Sequence, residues 1–212
     1  MKYIGHLDLL KVFQSAIRRA KLPIAYSMGF NPHQRLSFAL PLPVGMDSVC
    51  EYIEMLFDEV PLNEVPLDDI PNQLDRLNLL SGQLPEGLQI LSVHHIHENA
   101  PRPAAAVVAA DYRLICHGVL KEQVQALWDS SEILVMKKTK KGVAKSDIRP
   151  DILKLEFDPV GAVSMRLSAG SERNLNPTLV AKQLGTDFTI VRQELYGTAG
   201  GRLLPLHEAV IN

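Results

Sequence analysis

The sequence predicts an α+β protein built from two tandem ferredoxin-like (βαββαβ) domains with mainly antiparallel sheets, the first strand being truncated. Three observations predict it. Apolar residues at strand and helix periods follow one another as β-α-β-β-α-β over residues 1–98. The same order returns over residues 111–197 with one extra strand in the middle, and the Pro/Ala-rich stretch 99–110 between them has the composition of a linker.

The elements of the first half follow in order. Met1–Ile4 reads as the end of a strand. From His6 to Lys21, Leu9, Leu10, Phe13, Ala16, Ile17 and Ala20 recur at three- and four-residue steps and define one apolar stripe of a helix. Lys11, Arg18, Arg19 and Lys21 occupy its other positions, the last three at the end where cations complement the helix dipole, and Pro23 stops it. Gly29-Phe30-Asn31-Pro32 is a turn cluster. Leu36–Leu40 and Cys50–Phe57 alternate as strands, Leu67–Leu80 is a helix with Pro71 in its first turn, and Leu88–His97 is strand-like.

In the second half, strands are expected at Asp111–His117, Ile133–Lys138, Ile152–Phe157, Val163–Ser168 and Phe188–Leu195. Helices are expected at Leu120–Trp128 and Pro177–Leu184, and 198–212 reads as a loose tail. One difficulty stands out. The first strand of a split βαβ sheet is central and paired on both sides, yet only four residues precede the first helix position that Gly5 opens. The strand is therefore expected to be completed by residues upstream of Met1.

Composition narrows the function classes. With 212 residues and 46% hydrophobic content, the chain can bury a substantial core. It holds no run of the ~20 apolar residues that a spanning helix needs, and its start lacks the pattern of a secretory signal, so the expected location is cytoplasmic. The net charge of −2 hides a polar distribution: residues 1–45 carry six Lys/Arg against one Asp/Glu, whereas residues 46–100 carry one against eleven. Each end can steer a different partner.

Several side-chain groups carry candidate chemistry. His6, Asp8, His33 and Arg35 flank the first helix and turn; a His beside a carboxylate and an arginine suits acid–base work or phosphate binding, and the alternative is a capping aspartate with solvated turn residues. Arg18, Arg19 and Asn31 extend that basic surface. A second one is the loop KKTKKGVAKSDIRP, where Lys137, Lys138, Lys140, Lys141, Lys145 and Arg149 face Asp147 alone. It suits a phosphate backbone, or else is a solvated hairpin. On a strand, His95 and His97 share one face and His94 takes the other, so at most two of them bind one ion. Cys50 and Cys116 read as small buried residues. No Cys-x-x-Cys, phosphate-loop or dinucleotide motif occurs, no serine sits in a nucleophile elbow, and no aromatic pair marks a sheet face for base stacking. No residue is assigned to a catalytic or metal role.

The stretch YIGHLDLLKVFQSAIRRAKLPIAYSMGFNPHQRLSFALPLPVGMDS resembles the opening of an uncharacterised bacterial family described as radical SAM-linked, found beside or fused to radical SAM enzymes. Asp147-Ile148-Arg149-Pro150, Asn176-Pro177 and the segment from Arg192 to Tyr196 extend the resemblance over nearly all of residues 1–197. The chain departs from the family in Gly5, where a serine is usual, and in its short leading strand. The resemblance implies a partner enzyme. Radical SAM catalysis needs three cysteines to hold an iron–sulfur cluster, and this chain has two cysteines in all, so cluster and S-adenosylmethionine are expected only in the partner. The expected function is thus a non-catalytic partner of a radical SAM enzyme that binds or presents RNA or another polyanion. The alternatives are a metal-independent endoribonuclease using His6 or His33, and a pure protein adaptor. Tandem ferredoxin-like domains also occur in CRISPR repeat-processing endoribonucleases, which is an analogy of fold alone.

Overall fold

The computed structural model describes residues 2–58, 73–97, 99–116, 118–139, 142–158, 161–185 and 187–211. The protein is a mixed α and β molecule with mostly antiparallel sheets. It divides into two compact units, one formed mainly by Met1–Gly45 and Tyr52–Ala100, the other mainly by Met46–Glu51 and Pro101–Val210. No helix among the described residues is long and apolar enough to cross a membrane.

The first unit is organised by helix α1, His6–Arg19, whose Phe13, Ala16 and Ile17 are buried. Gly5 opens it without a side-chain cap, and Asp8 pairs instead with Lys11 at 3.3 Å. The helix stops before Pro23 is reached. Leu22 N–H donates to the Ile17 carbonyl at 3.2 Å and Lys21 N–H to that of Arg18 at 3.2 Å, with Lys21 in the left-handed region at φ 52°. This is a Schellman ending, and its usual apolar clasp is present: Ile17 and Leu22 lie in the same core cluster with Ala16, Ile24 and Leu80.

Strands β1, Leu36–Phe38, and β3, Ile53–Met55, pair antiparallel with Leu36 opposite Met55. Helix α2, Gln73–Ser81, supplies Leu80 to the core. Three strand expectations need correction here. Residues 2–5 form turn and coil, Leu88–His97 enters no ladder among the described residues, and the strand expected at Cys50–Phe57 is cut to its centre. Alternating apolar residues create strand propensity, but a regular ladder also needs a run of paired backbone N–H and C=O groups in register, which alternation alone does not specify. The part of the expected helix at residues 67–72, with Pro71, lies outside the described residues.

The second unit is built on a sheet in the order β10-β9-β4-β8-β7, with β2 added to β9. Its strands are β2 Asp47–Ser48, β4 Ala109–Cys116, β7 Ile152–Phe157, β8 Val163–Ser168, β9 Phe188–Ala199 and β10 Arg202–Pro205. Helix α4, Lys121–Asp129, follows β4, and helix α5, Pro177–Leu184, follows β8; Asn176 caps α5 by accepting from Thr178 N–H at 2.9 Å. Tyr112 and Leu114 of β4, Met165 and Leu167 of β8, and Ile190 and Leu195 of β9 alternate into the core, and Val124 of α4 and Val180 of α5 are buried as well. The stretch expected to be a linker holds the short helix α3, Pro103–Ala106, and the start of β4. The expected tail is also folded: residues from Thr198 on finish β9, form β10 and enter helix α6, Leu206–Ile211, which buries Leu206, Ala209 and Val210. Gly170, at φ +120°, sits so close to the Val107 carbonyl that a side chain there would collide with it.

Two polar clusters hold this sheet. Arg192 is 1% exposed, and its Nη1 donates to both Glu51 carboxylate oxygens at 2.9 Å while its guanidinium lies 5.7 Å from the Tyr112 ring centroid. Burial pushes the Glu51 carboxyl up, and the Arg192 cation opposes that rise. Glu51 reaches this position because β2 runs parallel to β9, pairing Asp47 with Val191 and Ser48 with Arg192. In the second cluster, Arg166 donates to Asp111 from Nε at 2.6 Å and Nη2 at 2.8 Å and stacks 4.0 Å from the Tyr196 centroid. Tyr196 donates its hydroxyl to Asp111 Oδ2 at 2.9 Å. Burial, then this hydrogen bond, push the phenol up to about 12.

Three outcomes follow for stability. Glu51→Gln strands a buried guanidinium and is expected to destabilise the second unit by about 3 kcal/mol in urea unfolding followed through Trp128, while a variant as stable as wild type contradicts the pairing. The raised Tyr196 value means that its contribution is complete below about pH 10 and is lost as pH climbs towards 12; alkaline unfolding should show this loss in wild type and not in Tyr196→Phe. Lys21→Gly relieves the left-handed backbone and should raise stability by about 1 kcal/mol in denaturant titrations.

Candidate nucleic-acid interface

The basic surface of the first unit is assembled by the end of α1 and the segment that follows it. No carboxylate side chain occurs between Asp8 and Asp47 in the sequence, so every charge on this stretch is positive. Arg18, Lys21 and Arg35 are exposed and form no side-chain hydrogen bond or ion pair with any described residue. Arg19, also exposed, is fastened locally, its Nε donating to Gln83 Oε1 at 3.2 Å and its Nη2 to the Gln83 carbonyl at 2.6 Å. Lys11, Ser15, Arg19 and the Gly82–Pro85 segment surround an open cleft of about 470 Å³.

Beyond Pro23 the chain makes a tight hairpin. Tyr26 bridges Gln34, Ser27 N–H donates to the His33 carbonyl at 2.8 Å, and His33 N–H donates to Ser27 Oγ at 2.9 Å. At its base, Arg35 N–H donates to the Ala25 carbonyl at 2.7 Å. Gly29 turns the tip at φ +124°, a conformation that a residue with Cβ seldom adopts. The tip carries Met28, 98% exposed, and Phe30, 107% exposed, followed by exposed Asn31 and His33.

The first group of expected site residues is therefore only partly brought together. His6 packs its ring edge-on against Phe38 at 5.4 Å, beside Phe13 on the same ring at 5.6 Å, and serves as part of the packing of α1. Asp8 is spent on Lys11. His6 and His33 make no ring contact or hydrogen bond with each other among the described residues.

The second basic stretch is a hairpin rather than a loop. Strand β5, Leu134–Thr139, pairs with β6, Gly142–Asp147, placing Lys145 opposite Met136, Lys137 opposite Ala144 and Lys138 opposite Val143. Lys140 and Lys141, and the side chain of Lys138, lie outside the described residues. Lys145 is exposed and Lys137 half-buried.

Arg149, expected to face a phosphate, is engaged within the fold. Its guanidinium stacks 4.3 Å from the Trp128 centroid and donates to the carbonyls of Trp128, Ser130 and Ile152 at 3.1–3.2 Å. It is a brace between the end of α4 and β7. Asp147 Oδ1 accepts from Ile133 N–H at 2.8 Å and Arg149 N–H at 2.9 Å, and these two bonds hold its carboxyl below the usual range. The segment Asp147-Ile148-Arg149-Pro150 is thus a corner held by hydrogen bonds within the second unit.

The remaining sequence candidates are dispersed. His95 and His97 stack edge-on at 6.0 Å in irregular chain, and His94 Nε2 lies 2.9 Å from Ser92 Oγ. Among the described residues, no group of three His, Cys, Asp or Glu is placed to hold a metal ion. Cys50 is half-buried and its thiol donates to Glu194 Oε1 at 3.2 Å, a more polar setting than the apolar one expected; the Cys116 side chain lies outside the described residues. Sequence reasoning missed two features. The exposure of Met28 and Phe30 had a signal in the turn cluster Gly29-Phe30-Asn31-Pro32, which places them at a loop tip, whereas the burial of Arg192 had none.

No curated protein and no solved structure matches the chain. A family model does match, over residues 1–177, and that span includes α1, the Tyr26–Gln34 hairpin, β2 and the Asp147–Pro150 corner. The chain therefore belongs to the bacterial family described as "Uncharacterized protein conserved in bacteria (DUF2344)".

Proposed function

We propose that this protein is a non-catalytic accessory of a radical SAM enzyme, holding RNA or a comparable polyanion on the basic surface of its first unit. The observation that carries the reading is the set Arg18, Lys21 and Arg35: three exposed cations without side-chain partners among the described residues, in a stretch that contains no carboxylate. Such cations gain by displacing counterions from a phosphate chain. The association with a radical SAM enzyme rests on the sequence resemblance, and the iron–sulfur cluster and S-adenosylmethionine belong to that enzyme. The order β9-β4-β8-β7, with α4 and α5 in the connections, supports reading the second unit as ferredoxin-like. With Arg149 committed internally, we give Lys145 and the β5–β6 hairpin a secondary role.

Titration of a labelled single-stranded RNA tests this directly. Binding should weaken linearly with the logarithm of salt concentration, with a slope of about −2 for three phosphates, and Arg18→Glu/Lys21→Glu/Arg35→Glu should abolish it while Lys145→Glu reduces it slightly. The RNA should be recovered intact. Salt-insensitive or absent binding overturns the proposal, and cleavage lost in His33→Ala replaces it with a ribonuclease.

A further inference from the structure

The Tyr26–Gln34 hairpin presents two large apolar side chains that the fold does not use. Its closure is achieved below the tip, by the Tyr26–Gln34 bridge and the two Ser27–His33 hydrogen bonds, while Met28 and Phe30 remain fully exposed. Burying side chains of this size is worth about 1.5–3 kcal/mol each, and here that gain is left for a ligand.

We infer that Phe30, with Met28 beside it, is a stacking platform for unpaired bases of a single-stranded RNA, whose phosphates are taken by Arg35 and Lys21. The inference rests on the polyanion-binding reading above and names its ligand class. The shape of the site favours it: a convex tip offers an aromatic face rather than a pocket, and every base has a π-face able to lie against it. Its surroundings favour it too. Asn31 and His33 follow Phe30 in the chain with hydrogen-bonding side chains, Arg35 lies at the hairpin base and Lys21 precedes the hairpin, all exposed, and no acidic residue interrupts residues 9–46. A protein partner with an apolar pocket would have to desolvate those cations to admit the tip, whereas a nucleic acid neutralises them with its own phosphates. Duplex RNA keeps its bases stacked on each other, so the ligand is a single strand or a loop.

The experiment compares three labelled probes by fluorescence anisotropy: oligo(U), an oligomer of the same length with abasic sugars, and a duplex. Wild type should bind oligo(U) above the other two. Phe30→Ala/Met28→Ala should lose affinity for oligo(U) by about 5- to 100-fold, keep the salt slope, and leave abasic binding unchanged. Phe30→Tyr should restore most of the loss, and the melting temperature of each variant should equal that of wild type because both side chains are exposed. Wild-type oligo(U) affinity in the double variant overturns the inference alone and returns the tip to protein docking. An equal loss on the abasic probe also overturns it. If wild type binds none of the probes, the polyanion-binding reading falls as well.

Discussion

The architecture of the second unit depends on neutralising one buried charge. Arg192 lies on the core-facing side of β9, opposite Tyr112, at a sheet position where an aliphatic residue would ordinarily sit. A guanidinium there is tolerable only with a carboxylate at hydrogen-bonding distance, and none of the neighbouring strands β4 or β10 supplies it. Glu51 does, and it comes from residues 46–51, a segment belonging to the first half of the sequence. That is why β2 exists: two residues pair parallel with β9, Val49 N–H then donates to the Arg192 carbonyl at 3.0 Å, and the chain arrives at Glu51 in register with its partner.

Two kinds of arginine in this protein differ in what surrounds them. Arg149, Arg166 and Arg192 each lie against an aromatic ring and donate to acceptors of their own unit, so their charge is consumed by the fold. Arg18 and Arg35 meet water. The difference matters for binding, because only a cation whose hydration is its main partner gains by exchanging it for phosphate. Counting basic residues along the chain merges the populations, and the KKTKKGVAKSDIRP stretch shows how: its arginine braces a corner while Lys145 remains exposed.

Legibility in the sequence varied with how self-sufficient each element is. In the second half, the expected strands at Ile152–Phe157 and Val163–Ser168 and the helix at Pro177–Leu184 coincide with β7, β8 and α5, because each has an apolar face deep in one core and clear turn residues at its ends. Strand propensity misled in the first half, where Leu88–His97 has the alternation and yet enters no ladder among the described residues. The tail was misjudged for another reason: Leu203, Leu204, Leu206, Val210 and Ile211 carry enough apolar surface to pack, but they lie beyond the segment that resembles a known family. Of the candidate interface, the charge was legible in the absence of acids from Leu9 to Met46. The fate of Arg149 was not, since the three carbonyls that hold it converge only when α4, β6 and β7 are in place.

The Glu51–Arg192 contact also constrains the order of events at the ribosome. The two residues are 141 positions apart, so at roughly 5–20 residues per second the nascent chain waits about 7–30 s between making the carboxylate and making the arginine that it neutralises. During that interval Asp47 and Ser48 have no strand β9 to pair with, and β4 lacks one of its two neighbours. Completion of the larger unit is therefore a late, nearly full-length event, and a chain truncated before Arg192 leaves its early segment without a place to dock.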